Sequence, residues 1–98
     1  MKNGMRPIHP GEILREDYLR PLSMSPNALA KALHVTPARI NEIVRENRGI
    51  TPDTALRLAR YFGGDPQSWL NLQQAYDLKK ATKESMKAIE KQITPLAA

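Results

Sequence analysis

Residues 25–46 read Ser25-Pro26-Asn27-Ala28-Leu29-Ala30-Lys31-Ala32-Leu33-His34-Val35-Thr36-Pro37-Ala38-Arg39-Ile40-Asn41-Glu42-Ile43-Val44-Arg45-Glu46. Twice in this stretch a hydroxyl residue precedes a proline, at Ser25-Pro26 and Thr36-Pro37. A hydroxyl can accept from an orphan backbone N–H at a helix start, and proline is pre-set for the first helical position, where its missing donor costs nothing. Behind each pair the apolar residues recur at helical spacing: Leu29 and Leu33 in the first segment, Ile40, Ile43 and Val44 in the second. The spacing predicts helices over about 26–33 and about 37–46, joined only by His34, Val35 and Thr36. Val35 plugs the turn, and Ala30 is small where the second helix must cross closely.

Working outward, the same punctuation recurs at His9-Pro10, Thr51-Pro52 and Asp65-Pro66. His9 is the weak cap of the set. The first helix is expected over about 10–20, ending before Pro21, with Ile13, Leu14 and Tyr18 facing inward. The third is expected to stop at the Asn47-Arg48-Gly49 turn. A fourth, over about 52–62, turns Ala55, Leu58, Ala59 and Phe62 inward and is closed by Gly63-Gly64. The fifth begins at Pro66, where Trp69, Leu72 and Tyr76 share a face and Leu70 starts a second apolar edge. Beyond Leu78 only Met86, Ile89 and Ile93 keep a thin helical stripe through a stretch rich in Lys, Ala, Glu and Thr. The reading is an all-α, five-helix unit: residues 1–81 form the domain and 82–98 a basic tail, partly helical or frayed.

Ninety-eight residues are too few for two independent cores. The absence of cysteine removes disulfides, thiolate nucleophiles and cysteine-based zinc sites, and fits a reducing cytoplasm. No apolar run approaches the ~18 residues of a membrane span, and Met1–Pro10 lacks the apolar core of an export signal. Fifteen Lys and Arg against ten Asp and Glu give +5, a balance that favours polyanions without proving one.

A small residue, a short turn and five apolar positions at this spacing hold two helices at the angle of a helix-turn-helix, the competing arrangement being a plain helical hairpin. The outward face of the second helix decides between them. Thr36, Ala38, Arg39, Asn41, Glu42 and Arg45 form a mixture of short polar groups and guanidinium, a face suited to a DNA groove. Arg39 and Arg45 can pair bidentately with guanine, Asn41 with adenine, and the Ala38 methyl can touch thymine. Glu42 can accept from cytosine, or pair within the helix with Arg39 or Arg45. Thr36, Lys31 and Arg48 are placed for phosphate. One copy touches few bases, so a dimer on two half-sites ~34–36 Å apart, on a palindromic duplex, is expected.

Other chemistries fit poorly. His9 and His34 are far apart in sequence, and neither has a second ligand at helical spacing, so no metal or other cofactor is expected. Glu12, Glu16 and Asp17 suit a solvated first turn better than a catalytic pair, and no catalytic residue is assigned. Trp69 and Tyr76 read as core or interface rather than base-stacking platforms. The tail stripe is too thin and lacks the aromatic anchor of a membrane helix, which leaves a protein partner, a second protomer or simple fraying. Leu70, Tyr76 and Leu78, extended by Met86 and Ile89, are the candidate two-fold seam, the competing role for the fifth helix being to complete the monomer core.

From about His9 to Ala81 the chain resembles the HigA (VapI-type) antitoxins, Xre-like and phage-repressor-like DNA-binding proteins. The resemblance rests on the 25–46 segment and on three further blocks. These are His9-Pro10-Gly11-Glu12-Ile13-Leu14, then Gly49-Ile50-Thr51-Pro52-Asp53-Thr54-Ala55-Leu56-Arg57-Leu58-Ala59, and lastly Trp69-Leu70-Asn71-Leu72-Gln73 with Tyr76-Asp77-Leu78. It implies a repressor of its own operon that also inactivates a HigB-like, mRNA-cleaving toxin. The alternatives are a stand-alone regulator, and a helical module for protein or RNA. The chain departs from the resemblance at His34, where relatives usually carry glycine because the turn asks for a left-handed backbone.

Overall fold

The computed structural model describes residues 6–97, whose regular secondary structure is all helical. Residues 1–5, on which part of the export-signal reading rests, and residue 98 lie outside the described residues. The first helix, α1, consists of three consecutive pieces: Pro10–Ile13, a π-helical Leu14–Leu19, and Arg20–Leu22. It is followed by α2 (Pro26–Leu33), α3 (Pro37–Val44), α4 (Pro52–Phe62) and α5 (Pro66–Gln92).

All five helices start at the cap-proline pairs. Ser25 Oγ accepts from Ala28 N–H, Thr36 Oγ1 from Arg39 N–H, Thr51 Oγ1 from Thr54 N–H and Asp65 Oδ1 from Gln67 N–H. His9 caps as well, with Nδ1 accepting from Gly11 N–H at 2.8 Å. A neutral imidazole offers the acceptor that a hydroxyl or carboxylate supplies elsewhere, so the expected weakness at His9 is absent.

Helix α1 does not end before Pro21. It continues to Leu22 because the chain widens into π geometry, where Arg20 N–H donates to the Arg15 carbonyl five residues back. The wider turn accommodates a pyrrolidine ring that carries no donor. It also re-aims the helix. Leu14 and Leu19, five positions apart, are both buried, while Ile13 and Tyr18 are only half-buried.

Helices α1, α2 and α3 end in one way. Ser23, His34 and Glu46 adopt left-handed φ values of 51°, 58° and 66°. After each, the next N–H reaches a carbonyl five residues back: Met24 to Leu19, Val35 to Ala30 and Asn47 to Glu42. This paired-bond termination satisfies the last carbonyls and normally favours glycine, which none of the three positions has. Helix α3 therefore ends at Val44, two residues short of the expected 46, with the left-handed turn at Glu46, and Gly49 has no positive φ. Gly49 instead lies beneath the Gln73 side chain, whose Oε1 accepts from Ile50 N–H at 2.7 Å and fastens the α3–α4 loop to α5.

The core joins Leu14, Leu29, Leu33, Ile40, Ile43, Ile50, Leu58 and Trp69. Each fully buried aliphatic side chain there contributes about 1.5–3 kcal/mol from apolar burial. Tyr18 packs against both Phe62 and Trp69, closing the end where α1, α4 and α5 meet. Helix α5 runs unbroken past position 81, and every described residue from Lys80 onward is exposed.

Candidate nucleic-acid interface

Helix α3 is held at both ends and on one flank. At its C-terminal end Arg15 donates to the Val44 carbonyl and lies 3.4 Å from Glu46, while Gly11 brings the start of α1 against the Ile43 carbonyl. At its N-terminal end Arg39 Nη1 donates to Asp53 Oδ2 at 2.7 Å, and stands 3.4 Å from Thr54 Oγ1. On the flank Asn41 Nδ2 donates to Asn27 Oδ1 and to the Pro37 carbonyl, both at 2.8 Å. A helix held at three points presents its remaining face as a rigid surface.

That face carries Thr36, Ala38 and Arg45, all exposed, with Asn41 and Glu42 half-buried beside them. Thr36 Oγ1 serves as the cap. Arg45 and Lys31 are exposed and make no ion pair among the described residues. Glu42 does not pair with Arg39 or Arg45. It receives Arg48 Nη2 at 2.7 Å and Nε at 2.8 Å, because the early end of α3 folds Arg48 back over the last turn. Arg39, half-buried, turns toward α4 rather than standing free on the groove face.

Asp53 collects two guanidinium groups on one oxygen: Arg39 at 2.7 Å and Arg57 Nε at 2.9 Å. Hydrogen bonding from Arg39 and then Arg57 holds its carboxyl below the ordinary aspartate value. Arg57 also donates to the Leu33 carbonyl at 2.8 Å, so the end of α2, the start of α3 and the start of α4 are joined through three side chains. The sequence reading missed Asn27, Asp53 and Arg57. Asn27 and Asp53 stand fourteen positions from their α3 partners, beyond any helical periodicity, and Asp53 alone reads as an acid complementing a helix start.

The residues assigned to a two-fold seam separate into two groups. Leu70 packs against the core, and the Tyr76 ring meets the buried His9 ring edge-on at 4.8 Å. Leu78, Met86 and Ile89 remain at the surface, Leu78 with 70% of its area exposed. Leu70 and Tyr76, both half-buried, therefore touch the body of the protomer as well as the surface. Among the described residues no cluster of His, Cys, Asp or Glu could hold a metal ion, and no helix is long and apolar enough to cross a membrane.

A helix-turn-helix family model matches residues 14–69. Virulence-associated protein I of Dichelobacter nodosus is 74% identical over 83 residues, which span 85% of this chain and 77% of that protein. The structure of Pseudomonas aeruginosa antitoxin HigA with the higBA promoter superposes with a TM-score of 0.90 at 53% identity, covering 93% of this chain and 99% of that one. The antitoxin GraA in complex with its operator gives a TM-score of 0.90 at 46% identity, covering 100% of this chain and 99% of that one.

Proposed function

This chain belongs to the HigA-type antitoxins of the helix-turn-helix family, and from that premise we propose that it binds double-stranded DNA at its own operator, represses its operon and serves as an antitoxin. The observation that carries the reading is the fastened α3, whose outward face of Ala38, Asn41 and Arg45, the last without an ion pair among the described residues, is polar and cationic with no large apolar residue to protect. Arg45 and Arg39 read guanine, Asn41 offers adenine its free Oδ1 while Nδ2 is engaged by Asn27 and Pro37, and Ala38 contacts thymine methyls; Lys31 and Arg48 hold phosphate, with Thr36 at the backbone. Two copies bind a palindromic site, meeting along α5 through Leu78, Met86 and Ile89. The antitoxin role requires a HigB-like partner, and nothing in the reading calls for a cofactor or for catalysis.

The test is a mobility-shift titration with the duplex upstream of the chain's own gene, repeated across a salt series. The expected result is a discrete complex whose affinity falls steeply with salt, as phosphate neutralisation demands. Failure of the folded protein to retard that duplex at low salt would overturn the repressor reading. Co-expression with the adjacent reading frame tests the toxin: a stable complex and relief of growth arrest are expected, and no rescue would leave a stand-alone regulator.

A further inference from the structure

The Asp53 carboxylate has no evident place beside a surface meant for a polyanion, since a half-exposed acid there repels phosphate. Its geometry supplies one. It grips Arg39 by Nη1 alone, at 2.7 Å, with Thr54 Oγ1 standing 3.4 Å from the same nitrogen. Nε and Nη2 of Arg39 are left unengaged among the described residues. A guanidinium reads guanine through two nitrogens in one plane, so a carboxylate that holds one edge determines which edge is offered and in what orientation. Asp53 is itself held, because the same oxygen accepts from Arg57 at 2.9 Å and Arg57 is anchored to the Leu33 carbonyl at 2.8 Å. Two guanidinium groups around one carboxylate also leave the cluster cationic, so it still tolerates a phosphate backbone.

We propose that Asp53 is a specificity-determining positioning residue, which orients Arg39 for a base edge and so makes the start of α4 part of the sequence-reading apparatus of α3. The inference rests on the DNA-binding reading and deepens it. Without Asp53, Arg39 would swing freely and contact phosphate and base alike. Specificity would fall while general affinity held or rose.

Competition titrations of the upstream duplex against a scrambled duplex of equal length test this on the unmodified protein and on Asp53→Asn, Asp53→Glu, Arg39→Ala and the Arg39→Ala/Asp53→Asn double variant. Asp53→Asn is expected to lower the ratio of operator to scrambled affinity about ten-fold, with scrambled binding unchanged or tighter. Asp53→Glu, which keeps the carboxylate, should restore most of the ratio. In the Arg39→Ala background Asp53→Asn should lower it no further, an outcome that a general loosening of α4 would not produce. Thermal melting is recorded beside each titration, and Asp53→Ser is read in place of the Asn variant if that one does not fold. A preserved ratio in Asp53→Asn, or an equal fall in both backgrounds, overturns the inference and leaves the DNA-binding reading intact. If the unmodified protein does not distinguish operator from scrambled duplex, both are overturned.

Discussion

Gly11 in α1 lies directly against the Ile43 carbonyl of α3, so closely that a Cβ on Gly11 would fall inside that oxygen. The obstacle is backbone on both sides, which cannot rotate away as a side chain could. Gly11→Ala must therefore push α1 off α3, at a cost of about 2–4 kcal/mol. Urea unfolding reads this directly, and an unchanged midpoint would show that α1 moves freely against α3.

His34 predicts the opposite sign. Its φ of 58° is the left-handed turn that the family resemblance implied there. Glycine relieves about 1–2 kcal/mol of Cβ strain and returns part of it as unfolded-chain entropy. His34→Gly should thus stabilise the chain by about 0.5–1 kcal/mol, measured as a higher denaturation midpoint. A lower midpoint would mean that the exposed imidazole makes an interaction in solution that offsets the strain.

His9 couples stability to pH. It is 3% exposed, and burial pushes its imidazole below the ordinary value of 6.5, against the opposing pull of Glu46 and Asp77 and with a smaller push from Lys80. The folded chain then binds fewer protons than the unfolded one, so this stability is fully present above pH 6.5 and is lost as pH falls through the lowered folded value. Protonation also removes the Nδ1 acceptor that caps α1. Thermal midpoints should decline from pH 7 toward pH 5, and His9→Asn, which retains an acceptor, should flatten that decline. Parallel curves for the two proteins would remove His9 as the titrating group.

On the groove face, Arg45→Ala should cost about 1–3 kcal/mol on the operator and relax its sequence preference, since among the described residues Arg45 has no ion pair whereas Arg39 and Arg48 do. Lys31→Ala should weaken operator and scrambled DNA alike and reduce the salt slope by about one. Equal losses on both duplexes for the two variants would place the reading face elsewhere.

Leu78 is the apolar residue of the proposed seam with the largest exposed fraction. Leu78→Glu puts a charge there without breaking α5, and a folded monomer with weakened operator binding is the expected result. An unaltered dimer by sedimentation velocity would move the contact to another surface.

The five helix starts were legible because a cap and its proline act over a few adjacent residues, whereas the left-handed turn at His34 was legible only through the family resemblance. The passage of α1 through Pro21 was not, since it depends on a π turn whose register only the packing of Leu14 and Leu19 selects. The end of α3 was assigned to the wrong turn because Glu46 adopts a conformation for which Gly49 was the better candidate by type. For the interface, the face of α3 could be read from periodicity. The grip of Asp53 on Arg39 and of Asn27 on Asn41 could not, because a tertiary link of fourteen positions leaves no periodic trace.

The long α5 has a hydrodynamic consequence. Its 27 residues span about 40 Å, and the molecule measures 53 × 25 × 24 Å. A body twice as long as it is wide tumbles and diffuses more slowly than a sphere of its 11.0 kDa mass. On a gel-filtration column calibrated with globular standards the single chain should elute early, at a position that imitates a larger particle. Stoichiometry is better taken from light scattering or sedimentation equilibrium, which report mass independently of shape.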